Sequence, residues 1–295
     1  MIICAVGVFI DISVITVAPI ALAIGKKSGY HKEALLLAMI GGGKAGNIIS
    51  PNPNTIAVSE AFKVDLTSLM MKNFISAICA VVVTILLSTM LSKKQGVQVT
   101  ENDLEQKEDK NLPSFIQAVA GPVVVVILLA LRPVASIVID PLIALPIGGV
   151  VCALACGQIK NIREYAEFGL GKVVGVSVLL IGTGTIAGII KASALQYDVV
   201  HILKMANMPA FLLAPIAGIL MAGATASTTA GATIGAQTFA GTLIKSGVSA
   251  LSAGAMVHAG ATVIDSLPHG SFFHATGGAA GLEIKERMKL IPYEM

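Results

Sequence analysis

Two prolines and three asparagines interrupt the otherwise apolar run GGGKAGNIISPNPNTIAVSEAF at 41–62, and no single helix can pass through them. Pro51 and Pro53 each lack an amide hydrogen, and each pushes its predecessor out of the helical region. A helix is therefore expected to stop before Ser50–Asn54 and to restart near Ile56, with Asn54 or Thr55 as its cap. In an apolar solvent such backbone is tolerated only where protein buries it or an aqueous cavity meets it. The polar residues Asn47, Ser50, Asn52, Asn54 and Thr55 are thus expected to face a site. Free amides at a half-helix N-terminus suit an anionic group there.

The solvent follows from composition. The 295 residues are 55% hydrophobic and only 13% charged, against about 25% charged in a soluble domain. Mean hydropathy is +0.84. A soluble fold would expose large apolar patches, which monomers rarely do; a bilayer removes the conflict. Thirty glycines fit membrane helices, while the absence of Trp and only four Tyr leave a thin aromatic belt. The net charge of +3 is spread over short connectors, which excludes a nucleic-acid partner. The first residues lack the basic region and cleavage site of a signal peptide. The cysteines (Cys4, Cys79, Cys152, Cys156) all lie in apolar stretches and read as buried small hydrophobes. Cys152 and Cys156 share a helix face, but no His or carboxylate joins them in a metal set.

A span needs about 20 mainly apolar residues. Candidates are 2–24, 67–91, 114–131, 141–157 and 173–190. The regions 34–62 and 210–244 are apolar but broken, and 249–281 is mixed. The hydrophilic connector at 92–113 divides the chain into parts 1–91 and 114–295, each with one broken region. Shorter polar connectors are expected at 25–33, 157–169 and 284–294. The segment 191–208, with Lys191, Asp198, His201 and Lys204 among apolar residues, reads as an interfacial amphipathic helix.

The second broken segment is GATASTTAGATIGAQTF at 223–239. Thr225, Ser227, Thr228, Thr229 and Thr233 crowd there with Gly223 and Gly231. Small hydroxyl residues allow an unwound stretch and supply ligands, although they also simply let helices pack closely. Two interrupted segments in corresponding parts of two halves point to a transporter binding site. Ionisable residues inside apolar segments are costly and usually functional. Asp11, Lys44, His258, Asp265, His269 and His274 are of this kind. An Asp or His could exchange a proton during transport. Lys44 could neutralise a substrate carboxylate or pair with a carboxylate of the protein. Asp11 could also be an ordinary helix-end residue, and the histidines ordinary interfacial hydrogen-bonders. GGGKAG is not a phosphate loop, because Lys44 is followed by Ala45, and no GxSxG serine occurs.

The run GGGKAGNIISPNPNTIAVSEAF, preceded by VFIDISVITVAPI, resembles the gluconate permease family of proton-coupled symporters in the ion transporter superfamily. GATASTTAGATIGAQTF followed by VIDSLPHGSFFH is similar to that family's second-half signature. The resemblance covers essentially the whole chain. It implies an all-α polytopic fold of two inverted repeats with broken helices or re-entrant hairpins, in a bacterial inner membrane. It implies a sugar acid or related small carboxylate as substrate and protons as coupling ion, with no cofactor. Ser50, Asn52, Asn54 and Thr55 then fall on the first hairpin tip, and Thr225, Ser227, Thr228 and Thr229 on the second. Asp11 falls where many members place an acidic residue. The acidic residue and histidine of the tail are ordered differently from the gluconate transporters. Members are usually longer, so the resemblance also implies a chain truncated at both ends. Partners are then the bilayer and the substrate, with a homodimer as an open assembly. Sodium coupling, ion antiport on the same architecture, and a non-transporting remnant or assembly subunit are the alternatives.

Overall fold

The structure, a computed structural model, describes residues 1–104, 113–135, 139–194, 197–198, 201–202, 205 and 209–295. Among these, every regular element is a helix. The chain forms two compact units, one of residues 1–105 with 182–295 and one of residues 106–181.

The larger unit opens with α1 (Ile2–Ala5), α2 (Ile10–Ser28), α3 (Lys32–Asn47), α4 (Pro53–Phe62), α5 (Leu66–Lys72) and α6 (Phe74–Ser92). The smaller unit holds α7 (Phe115–Ala135), α8 (Pro141–Ala155) and the start of α9 (Ile162–Ala192). The chain continues in the larger unit with α10 (Leu213–Thr225), α11 (Thr228–Lys245), α12 (Ala250–Ala261), α13 (Ser271–Ala279), α14 (Ile284–Met288) and α15 (Ile291–Glu294).

Helix ends follow local chemistry. Gly29, at φ 73°, closes α2 in the left-handed conformation that glycine adopts without strain. Asn52 caps α4, its Oδ1 accepting from the Thr55 amide at 3.0 Å, and Pro53 takes the first helical position. Proline is favoured there because its missing N–H would have had no intrahelical partner. This places the restart earlier than the expected Asn54 or Thr55 cap.

The two largest apolar clusters among the described residues lie in the larger unit. One gathers Val58, Phe62, Leu69, Leu213, Phe239 and Val257 from α4, α5 and α10–α12. The other gathers Ile10, Val14, Leu36, Ile40, Leu91 and Leu290 around α3. Helices α10 and α12 cross backbone to backbone. A Cβ on Gly218 would stand 2.2 Å from the Val257 carbonyl oxygen, and one on Gly260 2.4 Å from that of Pro215. In the smaller unit α7 and α8 pack the same way through Gly121 and Gly148.

Polarity is inverted relative to a soluble domain. Lys44, Asn47, Asn52, Asp265, Arg287 and Glu294 are buried. Ile75, Ile78, Val82, Ile85, Leu86 and Met90 of α6 are exposed. Among the described residues α6 is the one helix both long and apolar enough to cross a membrane, with mean hydropathy 2.5.

Several expected boundaries are corrected. The stretch 2–24 is two helices, broken at 6–9, where Gly7 has φ 108°. The stretch 67–91 is divided at Asn73. The connector 157–169 is polar yet mostly helical, being the first turns of α9. The polar segment 284–294 is folded onto the protein, with Arg287 and Glu294 buried. Cys79 is exposed and only Cys4 is buried. The expected interfacial helix at 191–208 lies largely outside the described residues.

The start of the hydrophilic connector is also tied down. Lys26 pairs with Glu101, the Glu33 carboxylate accepts from the Val97 amide at 2.9 Å, and Lys32 Nζ lies 2.6 Å from Asp103 Oδ1. Burial pushes the Asp103 carboxyl up. The hydrogen bonds from Lys32 and from the Thr100 amide and hydroxyl, together with the Lys32 charge, outweigh it and hold the group below its ordinary value.

Two expected outcomes follow from this packing. Gly218→Val should lower stability by about 1–3 kcal/mol, because neither backbone can retreat; thermal unfolding in detergent measures it, and an unchanged Tm would refute the close crossing. A carboxyl lowered in the folded state adds stability above its unfolded value and loses it as pH falls through the folded one. The Tm gap between wild type and Asp103→Asn should therefore be widest near neutrality and close on acidification, whereas a gap independent of pH would refute the Lys32–Asp103 contribution.

Candidate functional site

The first break is a closed polar knot. The Asn52 side-chain Nδ2 stands 2.9 Å from the Asn47 carbonyl oxygen and 2.6 Å from Ser50 Oγ, and also faces the Asn47 side-chain oxygen, so its two hydrogens are shared among three acceptors. Ser50 Oγ donates to the Asn47 carbonyl at 3.1 Å, and Thr55 Oγ1 to the Ser50 carbonyl at 2.7 Å. Asn54 Nδ2 donates to Asn47 Oδ1 at 3.3 Å. All five side chains are buried. The Asn47 carbonyl, which Pro51 leaves without a helical partner, and the Ser50 carbonyl are met inside this knot. Asn54 Oδ1 is left buried without a hydrogen-bond partner. Asn73, at the head of α6, reaches in and donates to the Ile48 carbonyl at 3.3 Å.

The second break is spare by comparison. Thr225 Oγ1 donates back to the Met221 carbonyl at 2.8 Å, within its own helix. Ala226 then takes φ 45°, and Ser227 caps α11 by accepting from the Ala230 amide at 3.3 Å. A non-glycine residue in the left-handed region is a strained point. Thr228 and Thr229 stand in the first turn of α11, which packs against α4 and α12.

One ion pair joins these elements. Lys44, in the last turn of α3, places Nζ 2.7 Å from Asp265 Oδ1, and the two side chains are 9% and 1% exposed. Asp265 comes from the loop after α12. Its Oδ2 accepts from Thr228 Oγ1 at 2.5 Å and its Oδ1 from Ser266 Oγ at 3.0 Å. Lys44 also donates to the Glu294 carbonyl at 3.2 Å, and the Glu294 carboxylate is held by Arg287. Arg287 in turn lies over the Phe273 ring, 4.9 Å from its centroid. Of the two roles open to Lys44, the structure displays pairing with a carboxylate of the protein.

The remaining candidate residues are placed apart. Asp11 sits in the first turn of α2, beside the unexpected break, and its Oδ1 accepts from the Ile12 amide at 2.9 Å. His258 is fully buried on α12, and neither ring nitrogen has a hydrogen-bond partner. His269 is exposed in the loop beyond Asp265. His274 is exposed too, with Nε2 donating to the Pro268 carbonyl at 2.8 Å. Sequence reasoning missed Ser266, Asn73, Arg287 and Glu294. Ser266 directly follows Asp265 in an apolar context, and that adjacency was the available signal.

A helical protein with charge inside, apolar side chains outside and two interrupted helices joined at a buried ion pair has the build of a membrane transporter. Residues 1–151 match the family-wide pattern described as GntP family permease. An uncharacterized transporter of Haemophilus influenzae is 52% identical over 294 residues, which is all of this chain and 70% of that one. No solved structure matches. The chain belongs to the GntP permease family; it is a membrane transporter and not an enzyme.

Removing one partner of a buried pair leaves a lone buried charge, at a cost of about 3–5 kcal/mol. Lys44→Met should therefore lower stability by about that much, and Lys44→Met with Asp265→Asn should recover a good part of it. Thermal unfolding of the two single variants and the double variant measures the coupling, and additive losses would refute it.

Proposed function

We propose that the chain carries gluconate or a related small sugar acid or carboxylate across the inner membrane together with protons. In this reading it is a multi-pass symporter of two inverted repeats, 1–91 and 114–295, joined by the linker 92–113. Substrate sits between the 50–55 and 225–229 segments. The observation that carries the reading is a buried cation, Lys44, at the end of the helix that precedes the first break, paired with Asp265, which accepts from Thr228 at the second. An organic anion needs compensating charge and directed donors in a dry site. An ammonium supplies the charge, and the first-turn amides of α4 and α11 supply the dipoles. Asn54, with one acceptor to spare, supports a role in meeting substrate hydroxyls. Asp11, His258 and Asp265 are the proton-carrying candidates, with His269 in the same loop as Asp265.

Sodium coupling is the second reading. It is favoured by Asn54 Oδ1 and Thr233 Oγ1, two buried oxygens without hydrogen-bond partners, because oxygen ligands suit a hard cation.

Uptake of labelled gluconate into proteoliposomes, with and without an inward proton gradient, tests the proposal. The expected result is accumulation that stops when the gradient is collapsed, that is unchanged when choline replaces sodium, and that is lost in Asn54→Leu while the variant still inserts. Accumulation that follows sodium would favour the second reading, and normal binding by Asn54→Leu would refute the site.

A further inference from the structure

We propose that Asp265 and the substrate carboxylate are alternative anions for one cation, Lys44, so that substrate binding obliges Asp265 to take up the coupled proton. The inference rests on the reading of the chain as a carboxylate symporter, and goes beyond it by naming where and why the proton binds.

Charge must balance in so dry a site. As the structure stands, Lys44 and Asp265 neutralise each other at 2.7 Å in a site almost closed to water. An ammonium has three N–H donors. One goes to Asp265 and one to the Glu294 carbonyl, so one remains for a third partner. A substrate carboxylate can take that donor, but then two negative charges share one positive charge in a dry place. Buried excess charge is costly, and a carboxylate that loses its counter-charge relieves the cost by binding a proton. In the exchange Lys44 swings from Asp265 Oδ1 to the substrate. A proton from the aqueous phase bonds to the freed Oδ1, where Ser266 Oγ stands at 3.0 Å and can accept from it. Oδ2 keeps its hydrogen bond from Thr228. The site starts neutral and ends neutral, with one substrate anion and one proton taken up together.

The other charged and titratable groups around this loop are accounted for. Glu294 is neutralised by Arg287. His258 is buried on the preceding helix without a partner. His269 is exposed in the same loop, and Asp11 lies on α2, which packs against α13. Asp265 is the carboxylate that contacts the Lys44 ammonium through its side chain. The second break feels the exchange directly, because the Thr228 that reports on Asp265 is also the first residue of α11.

The experiment is equilibrium binding of labelled gluconate to the full chain in detergent, from mildly acidic to mildly alkaline pH, with exchange and accumulation measured in proteoliposomes. In the wild type, affinity should fall about tenfold per pH unit above a midpoint, as one linked proton requires. Asp265→Asn, which is neutral at every pH, should bind gluconate with an affinity independent of pH. It should exchange internal for external gluconate and fail to accumulate it. Thr228→Val removes one donor from the carboxylate and keeps the ion pair; its midpoint should move to higher pH. This variant keeps the test open should Asp265→Asn fold poorly. A wild type that binds gluconate while Asp265→Asn retains the pH dependence overturns the inference, as does a midpoint unmoved in Thr228→Val. Loss of the pH dependence in His258→Gln instead, with Asp265→Asn like wild type, overturns it in favour of the buried histidine. A wild type that binds no acid at any pH overturns the carboxylate reading itself, and the inference with it.

Discussion

The ion pair of Lys44 and Asp265 is the constraint on which the interior depends. Each charge would be costly alone in so dry a place, so each requires the other's element to be where it is. Lys44 fixes the end of α3, from which the first break departs. Asp265 fixes the loop after α12 and, through Thr228, the start of α11. The Glu294 carbonyl adds the C-terminal strap to the same ammonium. A buried pair is weak evidence for net stability, because hydrophobic replacements often serve as well. Its better attested use is register. Here it holds two interrupted helices opposite one another, which packing among small apolar residues such as Ala217 and Ala232 would specify less sharply.

The two breaks solve the same problem by different means. The first satisfies its backbone locally, with Asn47, Ser50, Asn52 and Thr55 bonded to one another within nine residues of sequence. Such a network is held chiefly by bonds within its own segment, with Asn73 adding one from the head of α6. The second has one left-handed alanine, one serine cap and one threonine hydroxyl committed to a distant carboxylate. Its geometry therefore answers to the state of Asp265. Under the proposed exchange the two breaks would be a fixed wall and a responsive wall of one site, and an element whose equilibrium is biased by a ligand is what transport and switching both require.

The sequence was most legible where backbone chemistry admits one answer. Pro51 and Pro53 forced the first break, and only its cap was misplaced, because a proline in the first helical turn was read as ending the old helix rather than beginning the new one. The second break carries no proline, yet the crowding of hydroxyls located it to within a few residues of Ala226. The break at 6–9 was not legible, since its letters are apolar and only the φ of 108° at Gly7 marks it. Asp11 accordingly read as a mid-span charge although it stands at a helix start. The beginning of α9 was missed for the opposite reason. Residues 162–169 are polar, and polarity suggests a connector, but Arg163 and Glu167 pair one turn apart along a helix.

The segment 284–294 likewise reads as a surface connector because it is charged. Charge normally marks surface, because water is the solvent that charge prefers. In a lipid-facing protein the apolar exterior leaves the interior as the place where charges can find partners, and Arg287 and Glu294 lie there, paired with each other. That pairing neutralises the Glu294 carboxylate, and its main-chain carbonyl takes one donor of Lys44 without adding a charge. That detail bears on the choice of lysine at this position. An arginine would grip Asp265 with a planar fork, two bonds at once, and release it reluctantly. An ammonium is a compact charge with three donors that rotate freely about one axis. Anchored by a neutral carbonyl on one donor, it can pass another from one carboxylate to the next while remaining in place.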